Sequence, residues 1–317
     1  MRILGLSYDK CHPVHKVWFE EVGDVKELKI ENDPSITNII RYAIKSREID
    51  DKYNVILCEG KVPLRTAVVK KIFNPKLKII TLVADQELFD CVEKGENDLE
   101  ERILYKFVDG AIVNSEFIKQ YAEKYIDAPI ETVTPFVSNI EKYLEIEKDS
   151  YNNRKILFVG YNYPNKNIEN LVEAVKRIEN LSLDIVGKGH KEYQNDDITV
   201  HGYQEDLTQF LKNADLYVQP SHGDAFGVAP AEAMAAGIPV IVTQTTGIKD
   251  IVSEVDTNLV RRHNIKGLEE GIRYYYSLNQ DDRKKIGEEL RSRAETLTEK
   301  GSKADFKNKV NKLLSVH

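Results

Sequence analysis

Gln219-Pro-Ser-His-Gly-Asp224-Ala-Phe-Gly227-Val-Ala-Pro230-Ala-Glu232-Ala-Met-Ala-Ala-Gly237-Ile-Pro239-Val240 reads as a strand end, a loop, a helix and the start of a new strand. The strand enters from residues 214–219. Pro230 falls in the first helical turn, where its missing N–H would be unpaired anyway. Gly237 closes the helix and Pro239 prevents its continuation. The unit therefore delivers a helix N-terminus to the carboxyl end of a parallel strand, the edge at which open α/β sheets bind ligands. Gly227 lacks a Cβ, so the backbone amides of Phe226, Gly227 and Val228 can approach an anion, and the helix dipole adds about 0.3–1 kcal/mol there. These are the ingredients of a diphosphate cradle.

Two carboxylates flank the cradle, Asp224 before it and Glu232 one turn into the helix. Facing a phosphate would set like charges at ~4 Å, at a cost on the order of 4 kcal/mol for an effective dielectric near 20. Hydroxyls are the better partners, because a carboxylate accepts two hydrogen bonds from a vicinal diol. Glu232 suits a ribose, and Asp224 suits the ring hydroxyls of a sugar beyond the phosphates.

Outward from this stretch, short Val/Ile/Leu runs alternate with segments of helical periodicity, the pattern of βα units on parallel sheets. Strands are expected near 2–7, 25–30, 53–58, 77–83, 110–114 and 130–134, then near 155–159, 182–186, 198–201, 214–219, 238–242 and 257–260. Helices fall between them, among them 34–47, 62–73 and 302–315. Six strands twice predicts an α/β protein of two Rossmann-like domains facing a cleft. The polar segment 139–154 is expected to be a linker between a first domain, 1–138, and a second, 155–300. The helix in 301–317 is expected to pack back on the first domain.

The chain has 317 residues, 41% hydrophobic and 31% charged, which suits about two folded domains rather than a disordered chain. With 45 Lys+Arg against 52 Asp+Glu the net charge is −7, which argues against a nucleic-acid partner. Three scattered cysteines and the absence of a long apolar run fit a cytoplasmic protein. Residues 61–78 carry Lys61, Arg65, Lys70, Lys71, Lys76 and Lys78 with no acid, whereas 85–101 is strongly acidic and includes Glu96. The basic stretch is expected to face solvent, to guide an anionic substrate, or to make peripheral contact with anionic lipid on the inner face of a membrane.

Several pieces together resemble a known family. Pro-Ser-x-x-Asp-x-Phe-Gly-x4-Glu-Ala-Met-Ala-x-Gly-x-Pro-Val is similar to the Glu-x7-Glu signature of retaining nucleotide-sugar glycosyltransferases of family 4, the group 1 glycosyl transferases with the two-domain GT-B fold. Phe158-Val-Gly160 with Lys166, Ile185-Val-Gly187-Lys-Gly189, Val200-His-Gly202 and Thr246-Gly247-Ile-Lys-Asp250 resemble further segments of that family in the same order. The likeness is strong over residues 154–260 and weak over the first 135. It implies a retaining transferase moving a sugar from a nucleoside-diphosphate donor to a hydroxyl acceptor, a glycan, lipid-linked or small molecule, with no metal and no cofactor. It further implies that Lys166 neutralises the diphosphate, Glu232 holds the ribose and Asp224 contacts the transferred sugar. Gly227 and Val228 offer amides to the phosphates, and His201, Gly202 and Tyr203 border the base.

The departures from the family pattern are specific. Tyr161 stands where an arginine is usual, which leaves Lys188 as a second cation for the phosphates. Asp224 is shorter by a methylene than the usual glutamate. On the acceptor side, Glu59 and Asp85 end predicted strands and are candidates to position a hydroxyl. Cys11-His12-x2-His15 lacks an evident fourth ligand for a metal. The weakened donor chemistry leaves two alternatives: a non-catalytic sugar-nucleotide or glycan-binding subunit on the same scaffold, or a GT-B phosphorylase or epimerase.

Overall fold

The computed structural model describes residues 1–28, 37–95, 98–148 and 150–315. The end of the expected strand 25–30, the start of the expected helix 34–47, Glu96, Asp149 of the expected linker and residues 316–317 lie outside them. The chain forms two compact units, Met1–Pro135 with Glu299–His317, and Phe136–Thr298.

The first unit is a parallel six-stranded sheet of β1 (Ile3–Tyr8), β2 (Asp24–Leu28), β3 (Val55–Glu59), β4 (Lys78–Val83), β5 (Gly110–Val113) and β6 (Ile130–Thr132), in the order β2-β1-β3-β4-β5-β6. The order reverses between β1 and β3, which makes the carboxyl ends of those strands the crevice of a doubly wound sheet. The helix Pro13–Val22 lies close over β1, because a Cβ on Gly5 would stand 2.5 Å from Phe19 Cδ2. The last helix, Glu299–Ser315, returns to this unit. Its Phe306 stacks on Trp18 at 5.2 Å between ring centroids, and Trp18 Nε1 donates to Ser302 Oγ at 2.9 Å.

The second unit holds β7 (Lys155–Val159), β8 (Ser182–Val186), β9 (Ile198–Gly202), β10 (Leu216–Gln219), β11 (Val240–Thr243) and β12 (Val260–Arg261), all parallel, in the order β12-β11-β10-β7-β8-β9. Counted from β7 this is the 3-2-1-4-5-6 order of a dinucleotide-type sheet, with its switch point between β7 and β10. Strands β10 and β11 are buried along their whole length, as strands covered on both faces must be, which explains their unbroken apolar runs.

One boundary differs from expectation. The segment 139–154 is not a free linker: it contains the helix Ile140–Leu144, and Ile140, Tyr143 and Ile146 are buried in the core of the second unit. The polar residues between them mask a helical spacing of apolar anchors, and that burial draws the segment into the unit that follows it.

Candidate functional site

The helix of the decisive stretch runs over Val228–Ala235 and starts from Gly227, whose φ of 101° lies in the left-handed region. A Cβ there would meet Pro230 Cγ at 2.9 Å and Thr246 Cγ2 at 3.1 Å, so glycine is required by conformation and by space. The helix begins without a capping side chain, which leaves its first-turn amides for a ligand or solvent. Phe226 itself is buried and contributes through its backbone. The loop is pinned to the segment after β11 by Asp224 N to Thr245 O at 3.0 Å, Gly247 N to Asp224 O at 2.9 Å and Ile248 N to Phe226 O at 2.7 Å.

Lys166, in the turn after β7, meets Asp224 at the switch point: Nζ lies 2.6 Å from Oδ2, with both side chains largely buried. The lysine expected at the diphosphate and the aspartate expected at the sugar thus pair with one another. A buried relay presets the aspartate. Tyr217 OH donates to Gln219 Oε1 at 2.7 Å, which turns the Gln219 amide nitrogen toward Ser221 Oγ at 2.8 Å and Asp224 Oδ2 at 3.3 Å. In the sequence Tyr217 and Gln219 read as strand residues alone; the signal for the relay is a polar residue at the end of an otherwise apolar run. Asn165 and Asn167 tie the Lys166 turn to the same loop through the carbonyls of Gly223 and Pro220.

Glu232 is half-buried, and loss of hydration pushes its carboxyl up to about 7 against a hydrogen bond from the Tyr143 hydroxyl that acts the other way. Its present partner is therefore Tyr143, supplied by the segment expected to be a linker. The flank beyond β7 is aromatic. Tyr161 and Tyr203 are exposed, Tyr161 packs edge-on to Tyr163, and Lys188 Nζ lies 5.5 Å from the Tyr203 ring. Lys188, expected as a second cation for the phosphates, thus lies beside Tyr203, expected at the base. Gly202, at φ 68°, opens the turn to Tyr203. His201 is engaged within the sheet edge, bonded to Asp184 at 2.9 Å and packed on Phe210.

In the first unit Glu59 ends β3, and its carboxylate is held by three donors: His15 Nδ1 at 2.6 Å, His12 N at 3.3 Å and Cys11 Sγ at 3.1 Å. Burial opposes its ionisation, but these hydrogen bonds, that of His15 first, outweigh it and hold the carboxyl below its usual range. Asp85 follows β4 as an exposed residue. Cys11, His12 and His15 serve Glu59, and no cluster of three or more metal-ligating side chains occurs among the described residues. Most of the basic stretch is neutralised by acids outside it: Lys61 pairs with Glu87 and Glu101, Arg65 with Glu100, Lys70 with Asp51 and Lys71 with Asp109. Ile72 and Phe73 are exposed beside them, and no helix among the described residues is long and apolar enough to cross a membrane.

A family model described as glycosyl transferases group 1 matches residues 139–293. A lipopolysaccharide 1,2-N-acetylglucosaminetransferase of Salmonella typhimurium is 30% identical over 77% of this chain and 68% of its own length. An uncharacterized glycosyltransferase of Methanocaldococcus jannaschii is 27% identical over 84% of this chain and 80% of its own. Among solved structures, Anabaena HepE in complex with UDP and glucose matches all of both chains with a TM-score of 0.72 at 14% identity, a likeness of fold.

Proposed function

The chain belongs to the glycosyl transferases group 1 family, with the GT-B architecture of two Rossmann-like units, and from that premise we propose that it is a retaining transferase using a nucleoside-diphosphate sugar. The observation that carries this reading is the Lys166–Asp224 pair beside the uncapped helix at Gly227, at the β7/β10 switch point. Donor entry separates the pair: Lys166 turns to the diphosphate and Asp224 to the sugar hydroxyls. Glu232 exchanges the Tyr143 hydroxyl for a ribose diol. Tyr161, Tyr203 and Lys188 line the nucleoside end.

In the transfer step the acceptor oxygen bonds to the anomeric carbon, the bond from that carbon to the diphosphate oxygen breaks, and the acceptor's proton leaves with the diphosphate. Negative charge builds on the leaving group ahead of attack. Lys166 and the preorganised amides of residues 226–228 stabilise that charge more than they stabilise the bound donor, which is the condition for rate acceleration. Those groups supply the charge a divalent ion would bring, so the reading requires no metal. That a UDP complex exists for a chain of the same fold supports a uridine donor as the first to test.

The test is a thermal-shift panel of UDP, GDP, ADP and CMP followed by donor hydrolysis and transfer. A nucleotide at 100 times its Kd adds about 2.7 kcal/mol of stability. Failure of every nucleotide to stabilise the chain sinks the proposal, and nucleotide binding without hydrolysis or transfer would leave a binding subunit.

A further inference from the structure

We infer that the carboxyl ends of β1, β3 and β4 form a hydroxyl-binding subsite for an uncharged polyol or sugar, organised by the His15–Glu59 pair. The inference rests on the glycosyltransferase reading, and it names the class of acceptor and adds His15, which that reading does not use.

The geometry is that of an oriented imidazole. Glu59 is held ionised, and a carboxylate only accepts hydrogen bonds, so the 2.6 Å contact places the proton on His15 Nδ1 and, in the neutral ring, the lone pair on Nε2. The ring is fixed further by tilted aromatic neighbours, His12 at 4.8 Å and Trp18 at 5.5 Å between centroids. The Cys11 thiol, pushed up to about 12 by burial and by Glu59, stays protonated and donates to Glu59 Oε2 as a structural strut rather than as a nucleophile. Cys11 N is in turn bonded to Glu27 Oε1 at 3.3 Å, which brings a second acid to the same loop.

These groups lie at the switch point of the first sheet, the place where its chain order opens a crevice. Space is available above it. Gly60 follows Glu59 at φ 81°, and a Cβ there would meet nothing within 4 Å. Asp85, exposed, follows β4, the strand paired with β3, at the same carboxyl edge.

The charge of this end decides the ligand. Glu27, Glu59 and Asp85 are acids, and Lys61, the nearby lysine that acts on Asp85, is already committed to Glu87 and Glu101. Lys10, exposed in the Cys11 loop, is one cation against these three carboxylates, so a phosphorylated acceptor would meet a net like charge, whereas the hydroxyls of a neutral sugar can donate to the carboxylates and to Nε2. The basic stretch 61–78 does not reverse this, since Lys61, Arg65, Lys70 and Lys71 are paired with acids and Lys76 and Lys78 stand at the amino end of β4, opposite the crevice.

The experiment uses the full chain saturated with UDP and follows binding by saturation-transfer NMR. Glucose, mannose and glycerol are compared with glucose 6-phosphate, mannose 6-phosphate and glycerol 3-phosphate. The expected result is binding of at least one neutral compound about tenfold tighter than its phosphate ester, with a shift of the His15 ring proton on titration. His15→Gln and, independently, the less buried Glu59→Gln weaken that binding about tenfold in chains whose melting temperature shows them folded. Tighter binding of the esters, binding of neither class, or unchanged binding in folded variants overturns the inference. UDP binding separates this from the parent reading. A chain that does not bind any nucleotide defeats the transferase proposal, whereas a chain that binds UDP but prefers the esters defeats this subsite alone.

Discussion

Lys166 Nζ stands 2.6 Å from Asp224 Oδ2, so the cation assigned to the donor diphosphate is already neutralised before a donor arrives. The two single variants should therefore split. Lys166→Ala removes a preorganised charge from the leaving group and should lower turnover about 10²–10³-fold. Asp224→Asn removes the competitor for Lys166, so free UDP should bind about tenfold tighter while sugar transfer falls. Titration calorimetry with UDP, alongside transfer rates, checks the pair; equal weakening of UDP by both changes would show that the contact is not exchanged on binding.

Glu232 gives a pH signature. Its carboxyl titrates near 7 in the folded chain against an ordinary value of 4.5. Between those values the folded state holds more protons than the unfolded state, so stability falls as pH rises from about 4.5 to 7 and stays level above. Glu232→Gln abolishes that loss. The variant should match the parent at pH 4.5 and exceed it at pH 8 by up to about 3 kcal/mol in urea unfolding. UDP binding should show the opposite preference, strengthening as pH rises through 7, because the ionised carboxylate is the form that accepts both ribose hydroxyls.

Gly227→Ala tests the cradle without touching a charge. The left-handed φ of 101° costs an L-residue about 1–3 kcal/mol, and the new methyl would press on Pro230 and Thr246. The helix start must shift, which moves the amides of Phe226 and Val228. Expected are a lower melting temperature and a loss of UDP affinity. A variant that keeps its UDP affinity would take the helix start out of the phosphate site.

The stretch 219–240 was legible because its punctuation is local: Pro230, Gly237 and Pro239 each act through their own backbone, and the strand runs on either side are apolar throughout. Both parallel sheets followed from the same alternation. What sequence could not show were contacts that close only in three dimensions. Tyr143 sits in a polar stretch 89 residues before Glu232, and nothing in its neighbourhood announces a partner. His15 and Glu59 are likewise brought together by the parallel pairing of β1 with β3, and a histidine in a helix carries no mark of the strand it faces. The charge run 61–78 is legible only in part for a related reason: the acids that pair with it, Asp51, Glu87, Glu100, Glu101 and Asp109, come from other elements.

The C-terminal helix should hold the first unit together as firmly as any strand does. Trp18 and Phe306 are both fully buried and stacked, and Ser302 links the Trp18 indole to the Thr134 carbonyl by accepting from one and donating to the other. Phe306→Ala opens a cavity against Trp18 and leaves the sheet face under the helix less covered, a change that costs about 3–5 kcal/mol in well-packed cores. Trp18 is the one tryptophan of the chain, so its fluorescence reports unfolding of this unit directly. The Trp18 transition should move to lower denaturant in Phe306→Ala. Ser302→Ala should cost less, about 1–3 kcal/mol, by leaving the indole N–H and the carbonyl without their shared partner. An unshifted Trp18 transition in Phe306→Ala would mean that the helix is an appendage rather than part of the core.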